Sequence, residues 1–283
     1  MRLGIFAKTF ACPTLAATLD AVTEHGLDCV QFNMACAGLA PLPERIEPAL
    51  CDQIREEMSA RNIKMAAVSG TFNMIHPIPE NRRDGLKKLR VLAEACRRLN
   101  TQVVTLCTGT RDPEDMWRRH PDHDSQDAWR ALVTSMREAV RIADDTGVIM
   151  AFEPEVANVI DSSLKARRLL DELGSSRIGV VLDPANLFHA GELPRMHAVL
   201  GEAFTLLGKD IVIAHAKDLT QDGAAGHAAA GKGLLDYDYY LASLHAVGFN
   251  GPLILHGLNP GEVAGCVSFL RRKLDARGIE SRC

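Results

Sequence analysis

Four side chains suited to a divalent metal each follow a short apolar run in the second half of the sequence. They are Glu153 in AFEPE, Asp183 in VVLDP, His215 in IAHAKD and His256 in LILHGL. Carboxylate oxygens and imidazole nitrogens are common ligands of Mn²⁺, Mg²⁺, Co²⁺ and Zn²⁺. One such residue alone could cap a helix or stabilise the fold, but four at the ends of successive runs predict a metal site.

The apolar runs that carry these residues belong to a series of eight. Each is too short for a helix and rich in Val, Ile, Leu or Phe, without polar alternation, which is typical of parallel strands buried on both faces. The predicted strands are 3–7, 29–33, 64–70, 102–107, 148–153, 178–183, 211–216 and 252–256.

Amphipathic segments with apolar residues three and four positions apart follow the strands and predict helices. The predicted helices are 14–25, 46–61, 84–99, 126–146, 161–173, 193–207, 236–247 and 260–277. Eight strands alternating with eight helices predict an α/β fold, a (β/α)8 TIM barrel that spans residues 1–283 as a single domain. A doubly wound open sheet is the rival, but no G-x-G-x-x-G motif follows the first strand.

Active-site groups of a TIM barrel lie at the C-terminal ends of the strands and on the loops that follow. The segment 108–125 after the fourth strand is long enough to be a lid or a binding loop, or a solvated connection. Each further candidate in such a position could bind substrate or have a purely structural role. These candidates are His76, Arg111, Trp117, Glu155, Asn186, Lys217 and His227.

The composition is that of a soluble globular protein. Apolar residues make up 47% and charged residues 24% of the chain, and the net charge is −4. An acidic chain argues against nucleic acid as a partner, and no apolar run is long enough to cross a membrane. The N-terminus lacks the features of a signal peptide and no C-x-x-C pair occurs, so we expect a cytoplasmic protein.

Several segments together resemble the xylose isomerase-like TIM barrels, a superfamily of ketose 3-epimerases, inosose dehydratases and isomerases, and endonuclease IV-type nucleases. The resemblance runs from about residue 3 to about residue 275 and is specific for the superfamily rather than for a substrate. The segments are GTFNMIHP (70–77), TLCTGTRD (105–112), AFEPE (151–155), VVLDPANLFH (180–189), AHAKD (214–218) and GHAAAGKG (226–233).

The resemblance implies one divalent metal, bound by Glu, Asp, His and Glu from strands five to eight. Glu153, Asp183 and His215 match the first three, but His256 stands where most relatives have Glu. The metal could be Mn²⁺, Zn²⁺, Co²⁺ or Mg²⁺, and the second imidazole shifts the preference towards Zn²⁺ or Co²⁺. Relatives of this kind often form dimers or tetramers, so a homo-oligomer is expected by analogy.

The activity implied is isomerisation or epimerisation of a small sugar, keto-sugar or polyol-derived ketone through an enediolate. Glu153 would move the proton, His256 is the second catalytic candidate, and Lys217 would help to hold the enediolate charge. Ketose 3-epimerases use two metal-bound glutamates, so the His256 substitution makes a lyase or dehydratase acting on a keto-sugar or inosose the main alternative. The sequence has neither a phosphate-binding loop nor a dense arginine cluster, which favours an unphosphorylated carbohydrate substrate.

Two further interpretations are weaker. A nuclease of the endonuclease IV type needs additional ligands, and Asn186 and Ala225 stand where that family has His and Asp. A non-catalytic barrel that binds sugar or serves as a partner subunit would have no need of the metal residues.

Overall fold

Eight parallel strands close into a barrel with eight helices between them in the computed structural model, which describes residues 1–279. Around the barrel the strand order is β6-β5-β4-β3-β2-β1-β9-β7, and a β6–β7 pairing closes the ring. The barrel strands are β1 (Arg2–Phe6), β2 (Cys29–Phe32), β3 (Lys64–Ser69), β4 (Val103–Cys107), β5 (Ile149–Glu153), β6 (Ile178–Leu182), β7 (Ile211–Asp218) and β9 (Pro252–Leu255), and β8 (Ala228–Ala229) is a short addition outside the ring.

The helices cover the barrel in sequence order. They are α1 (Leu15–Glu24), α2 (Pro48–Ala60), α3 (Pro79–Leu99), α4 (Gln126–Thr146), α5 (Ser163–Leu173), α6 (Met196–Leu207), α7 (Tyr237–Ala246) and α8 (Val263–Asp275). The prediction of a TIM barrel is therefore confirmed. Among the described residues, none of the helices combines the length and apolar character needed to cross a membrane.

The bounds of the elements differ from the predicted ones at a few places. Helix α3 begins at Pro79 rather than at residue 84, because proline is favoured at the first helical position, where its missing N–H costs nothing. Strand β7 continues to Asp218, where it pairs antiparallel with the unpredicted β8. Strand β9 ends at Leu255, so His256 lies just beyond it.

Two layers of side chains fill the barrel. A layer of small and branched apolar residues packs inside it, separately from the larger core that includes the strand–helix contacts. The buried members of this inner layer are Cys29, Ala67, Ala151, Val181, Ile213 and Ile254.

Residues two positions further along a strand point to the same face. The next interior layer, at the C-terminal end of the barrel, is therefore polar. It contains Gln31, Ser69, Glu153, Asp183, His215 and His256. The fold places the four predicted metal residues in one layer because their strands share this alternation.

The loop 108–125 is held together by its own hydrogen bonds. His123 is buried, at 2% exposed, and its Nε2 accepts from the backbone N–H of Arg111 at 3.2 Å and contacts Thr110 Oγ1 at 2.8 Å. Asp112 accepts from the backbone N–H groups of Glu114 and Asp115, each at 2.9 Å. A single imidazole and a single carboxylate thus fix the shape of this loop.

Candidate metal centre

Asp183, His215 and His256 form a compact group at the C-terminal end of the barrel. One ligand atom from each lies within 4.8 Å of the other two. Oδ2 of Asp183 is 3.3 Å from His215 Nδ1 and 3.8 Å from His256 Nδ1. The three residues meet because β6, β7 and β9 are consecutive around the barrel.

The orientation of the His215 ring is set from across the barrel. Its Nε2–H donates to Gln31 Oε1 at 2.9 Å, and Gln31 Nε2 in turn donates to Thr105 Oγ1 at 3.3 Å. The proton on Nε2 leaves Nδ1 facing the carboxylates. Metal-binding histidines are typically oriented in this way by a hydrogen bond from the other ring nitrogen.

His256 offers a nitrogen that nothing else occupies. Its Nδ1 is buried and has no hydrogen-bond partner among residues 1–279. Burial lowers the pKa of His256 and, together with the charges of His215 and Lys217, outweighs the opposing effect of Asp183, so the ring is neutral and carries a free lone pair. A buried polar atom without a partner is rare in folded proteins, and a metal ion would satisfy this one.

Glu153 stands beside this group rather than within it. Its Oε1 is 3.8 Å from His215 Nδ1 and accepts a hydrogen bond from Asn186 Nδ2 at 2.6 Å. Burial raises the pKa of Glu153, but the opposing effects of His215 and Lys217 outweigh burial and lower it. The carboxylate is therefore ionised and held in one position.

Lys217 connects the two carboxylates of the site. Its Nζ lies 3.0 Å from Asp183 Oδ2 and donates to Asn186 Oδ1 at 2.7 Å. Burial raises the pKa of Asp183, but Lys217 and the two imidazoles hold it well below its usual range. An unbroken chain of polar contacts thus runs from Asp183 through Lys217 and Asn186 to Glu153.

The charge of the site suits a cation. Burial lowers the pKa of His215, but Glu153 and Asp183 outweigh burial and raise the pKa to about 9. The negative charge that would retain a proton on Nδ1 also favours a divalent ion in its place. The donors and the free nitrogen of His256 therefore fit the metal implied by the sequence.

Glu155 lies near the site but does not join its hydrogen bonds. It is buried, at 7% exposed, and burial together with the charge of Glu153 raises its pKa to about 8. The residue therefore contributes a carboxyl group that is largely protonated at neutral pH.

Three of the predicted substrate-binding residues lie on the loops after β3 and β4. His76 Nε2 contacts the carbonyl oxygen of Pro113 at 3.2 Å, Arg111 donates to the carbonyl oxygen of Ile75 at 3.5 Å, and Trp117 is 48% exposed. They surround the C-terminal end of the barrel without touching the metal group, and their substrate-binding role stays a prediction.

His227 is exposed, and no hydrogen bond or ion pair joins its side chain to the metal group within the described chain. The glycine that precedes it, Gly226, packs against the protein itself. A Cβ atom at Gly226 would lie 2.5 Å from the carbonyl oxygen of Asp218, and the Gly226 N–H donates to Asn186 Oδ1 at 3.2 Å. The close approach at Gly226 therefore helps to position Asn186.

Gln31 is a site residue that the sequence analysis missed. A signal existed, because it is a polar residue inside the apolar run of the predicted strand CVQFN and lies two positions after Cys29. Its partner His215 lies on the other side of the barrel, and only closure of the ring brings the two together.

A closed (β/α)8 barrel whose C-terminal end gathers imidazoles and carboxylates has the layout of the TIM-barrel enzyme class. Within that class, the family model for the xylose isomerase-like TIM barrel matches residues 19–272. The chain belongs to this family.

Known relatives of the chain are distant. An inosose isomerase of Bacillus velezensis is 22% identical over 254 residues, which cover 86% of this chain and 83% of that protein. A D-tagatose 3-epimerase-like protein superposes with a TM-score of 0.78 at 15% identity and 98% coverage of both chains. The zinc-containing IOLI protein superposes with a TM-score of 0.73 at 20% identity and 97% coverage of both chains.

Proposed function

We propose that this protein is a divalent-metal-dependent isomerase or epimerase of a small sugar or keto-sugar. The observation that carries the proposal is the position of Glu153, an ionised carboxylate held by Asn186 next to the group of Asp183, His215 and His256. The relatives named above support a carbohydrate substrate, because their names are those of sugar isomerases and epimerases.

The metal would be held by Asp183, His215 and His256, with Glu153, the fourth ligand implied by the resemblance, beside them. A divalent ion bound there supplies a Lewis acid that polarises a substrate carbonyl and acidifies the adjacent C–H bond.

The protein's own residues would move the proton and hold the charge. Glu153 takes the proton from the carbon next to the carbonyl and, for isomerisation, returns it to the neighbouring carbon on the same face. For epimerisation a second group delivers a proton to the opposite face. The Lys217 ammonium is buried and lies 3.0 Å from Asp183 Oδ2. From there it would stabilise negative charge on a substrate oxygen. His256 fills the position of the second glutamate, so the epimerase route needs a second proton carrier and the isomerase route does not.

A metal-dependent lyase is the second candidate. The observation that favours it is the same His256, since a neutral imidazole with its Nδ1 directed at the metal group cannot act as a carboxylate base on the second face. Proton removal by Glu153 followed by loss of a β-hydroxyl needs one base only.

The experiment is incubation of the Mn²⁺- or Zn²⁺-loaded protein with keto-sugars and inososes in D₂O. An isomer that has taken up deuterium but has lost no atoms supports the isomerase. A product that has lost one water supports the lyase. We expect Glu153→Gln to abolish both outcomes while circular dichroism shows a folded protein. Turnover near that of the wild type in this variant would contradict the proposal.

A further inference from the structure

Two arginines, one at the start of α3 and one on the loop after β4, approach the same stretch of backbone at the C-terminal end of the barrel. Arg82 donates to the carbonyl oxygen of His76, and Arg111 donates to that of Ile75 at 3.5 Å. Both side chains are half-buried. We call Arg82 and Arg111 the arginine pair.

The arginine pair has no carboxylate to neutralise it. Across residues 1–279, no Asp or Glu oxygen lies within 4.0 Å of either guanidinium. Neighbouring cations differ in this respect. Arg83 is bound by Glu80, Arg118 lies 3.1 Å from Asp112, and Arg119 lies 3.6 Å from Asp161.

The surroundings add positive charge. Arg82 lies in the first turn of α3, which begins at Pro79, and the N-terminus of a helix carries a partial positive charge. Burial lowers the pKa of Arg82, and the charges of Arg111 and Arg83 lower it further against the smaller opposing effect of Glu80. A folded chain that keeps two guanidinium groups together here, without an anion of its own, has charge left to bind a ligand.

The position of the arginine pair connects it to the metal group. The loop of Arg111 is joined to the loop after β5, which follows Glu153, because Gly109 N–H donates to Asn158 Oδ1 at 2.7 Å and Val159 N–H donates to Gly109 O at 2.9 Å. Both arginines follow strand ends on the face of the barrel that carries Asp183. A sugar with its carbonyl at the metal group would extend towards this rim.

We propose that the arginine pair binds an anionic group, a carboxylate or a phosphate, at the far end of the substrate, so that the protein acts on an acidic sugar. Guanidinium groups bind both anions through paired, charge-assisted hydrogen bonds. The proposal rests on the proposed function, since it takes the metal group as the binding place of the carbonyl. A carboxylate at this place agrees with the expectation of an unphosphorylated substrate, whereas a phosphate would contradict it.

Three ketohexoses that differ only at carbon 6 test the proposal. D-fructose carries a hydroxyl there, D-fructuronate a carboxylate and D-fructose 6-phosphate a phosphate. Their binding to the Mn²⁺-loaded protein is measured by isothermal titration calorimetry. We expect at least one anionic compound to bind roughly tenfold or more tightly than D-fructose, which corresponds to about 1.4 kcal/mol.

Two variants and a matched control assign the effect. Arg82→Gln and Arg111→Gln should each reduce the preference for the anion, and the anion that responds identifies carboxylate or phosphate. Arg97→Gln removes the same charge from the last turn of α3, at the opposite end of the helix, and should keep the preference.

The outcomes separate the two proposals. If the wild type binds all three compounds equally or none of them, or if Arg97→Gln loses the preference as much as the other variants, the arginine pair is not an anion site. A titration of the same protein with Mn²⁺ alone reports on the metal group. Failure there contradicts the proposed function instead.

Discussion

At the scale of single residues, the difference between Glu153 and His256 decides how the site works. Sequence position makes them the first and last of four equivalent ligands. The structure gives them different surroundings, because Glu153 is bound by Asn186 whereas His256 Nδ1 has no partner in the described chain. We therefore expect the imidazole to matter more for metal affinity and the carboxylate more for turnover.

Metal binding by the two variants tests this difference. His256→Ala should weaken Co²⁺ binding roughly tenfold or more, because it removes one of three donors. Glu153→Gln should change it much less. Titration of the metal-free proteins, followed by the visible absorption of bound Co²⁺, measures both affinities. Equal losses of Co²⁺ affinity in the two variants would show that Glu153 ligates the metal as His256 does.

The sequence allowed the four strand-end residues to be predicted, since each ends an apolar run, but it could not show what holds them. Asn186 was predicted to bind substrate, and what the sequence could not show is that its amide bridges Glu153 and Lys217. Gln31 reaches His215 only across the closed barrel. Contacts of this kind join distant segments and leave no local pattern in the chain.

At the scale of elements, strands were more predictable than loops. Buried parallel strands can be recognised in a sequence as continuous apolar runs. The predicted bounds of all eight barrel strands lie within a few residues of the observed ones. The loop 108–125 gave no sign that a buried His123 would hold it together. The arginine pair was equally hidden, because Arg82 lies before the predicted start of its helix and is distant in sequence from Arg111.

His123 should make the stability of the protein depend on pH. Burial, together with the charges of Arg119 and His120, lowers the pKa of His123 to about 4. In the unfolded chain the residue takes up a proton near pH 6.5, whereas in the folded chain it does so only near pH 4. The contribution of His123 to the free energy of unfolding is therefore complete above about pH 6.5. It is lost as the pH falls towards 4, by up to about 1.4 kcal/mol per pH unit.

Urea denaturation at pH 7, 6 and 5 measures this effect. His123→Gln should be less stable than the wild type at pH 7, because it loses the buried ring, but the gap should narrow as the pH falls. A difference in the free energy of unfolding that stays constant over this range would mean that the pKa of His123 is the same in the folded and unfolded states.

At the scale of the whole molecule, closure of the ring depends on how closely β1 approaches its neighbours. Strand β1 pairs with β2 on one side and with β9 on the other, in a register that sets Gly4 opposite Ile254. A Cβ atom at Gly4 would lie 2.6 Å from the carbonyl oxygen of Cys29 and 2.8 Å from Ile254 Cδ1. Glycine is needed here because both neighbours fill the interior of the barrel.

Gly4→Ala should therefore lower the free energy of unfolding by about 1–3 kcal/mol, the usual cost of overpacking a core. Gly265→Ala is the matched control, since a Cβ atom there meets nothing within 4 Å and the residue lies in α8. The control should be stabilised by about 0.5–1 kcal/mol, as is usual when glycine in a helix becomes alanine. Denaturant unfolding of both variants measures the two changes, and an unchanged Gly4→Ala protein would show that the ring can relax.

The pairing of β1 with β9 also fixes when the metal group can form during synthesis on the ribosome. Asp183 and His215 emerge before β9, but His256 reaches them only after β9 has inserted between β1 and β7. A nascent chain interrupted before that point carries two of the three donors and no closed ring. An ion held by all three residues would therefore bind only after β9 has been synthesised and has joined the ring.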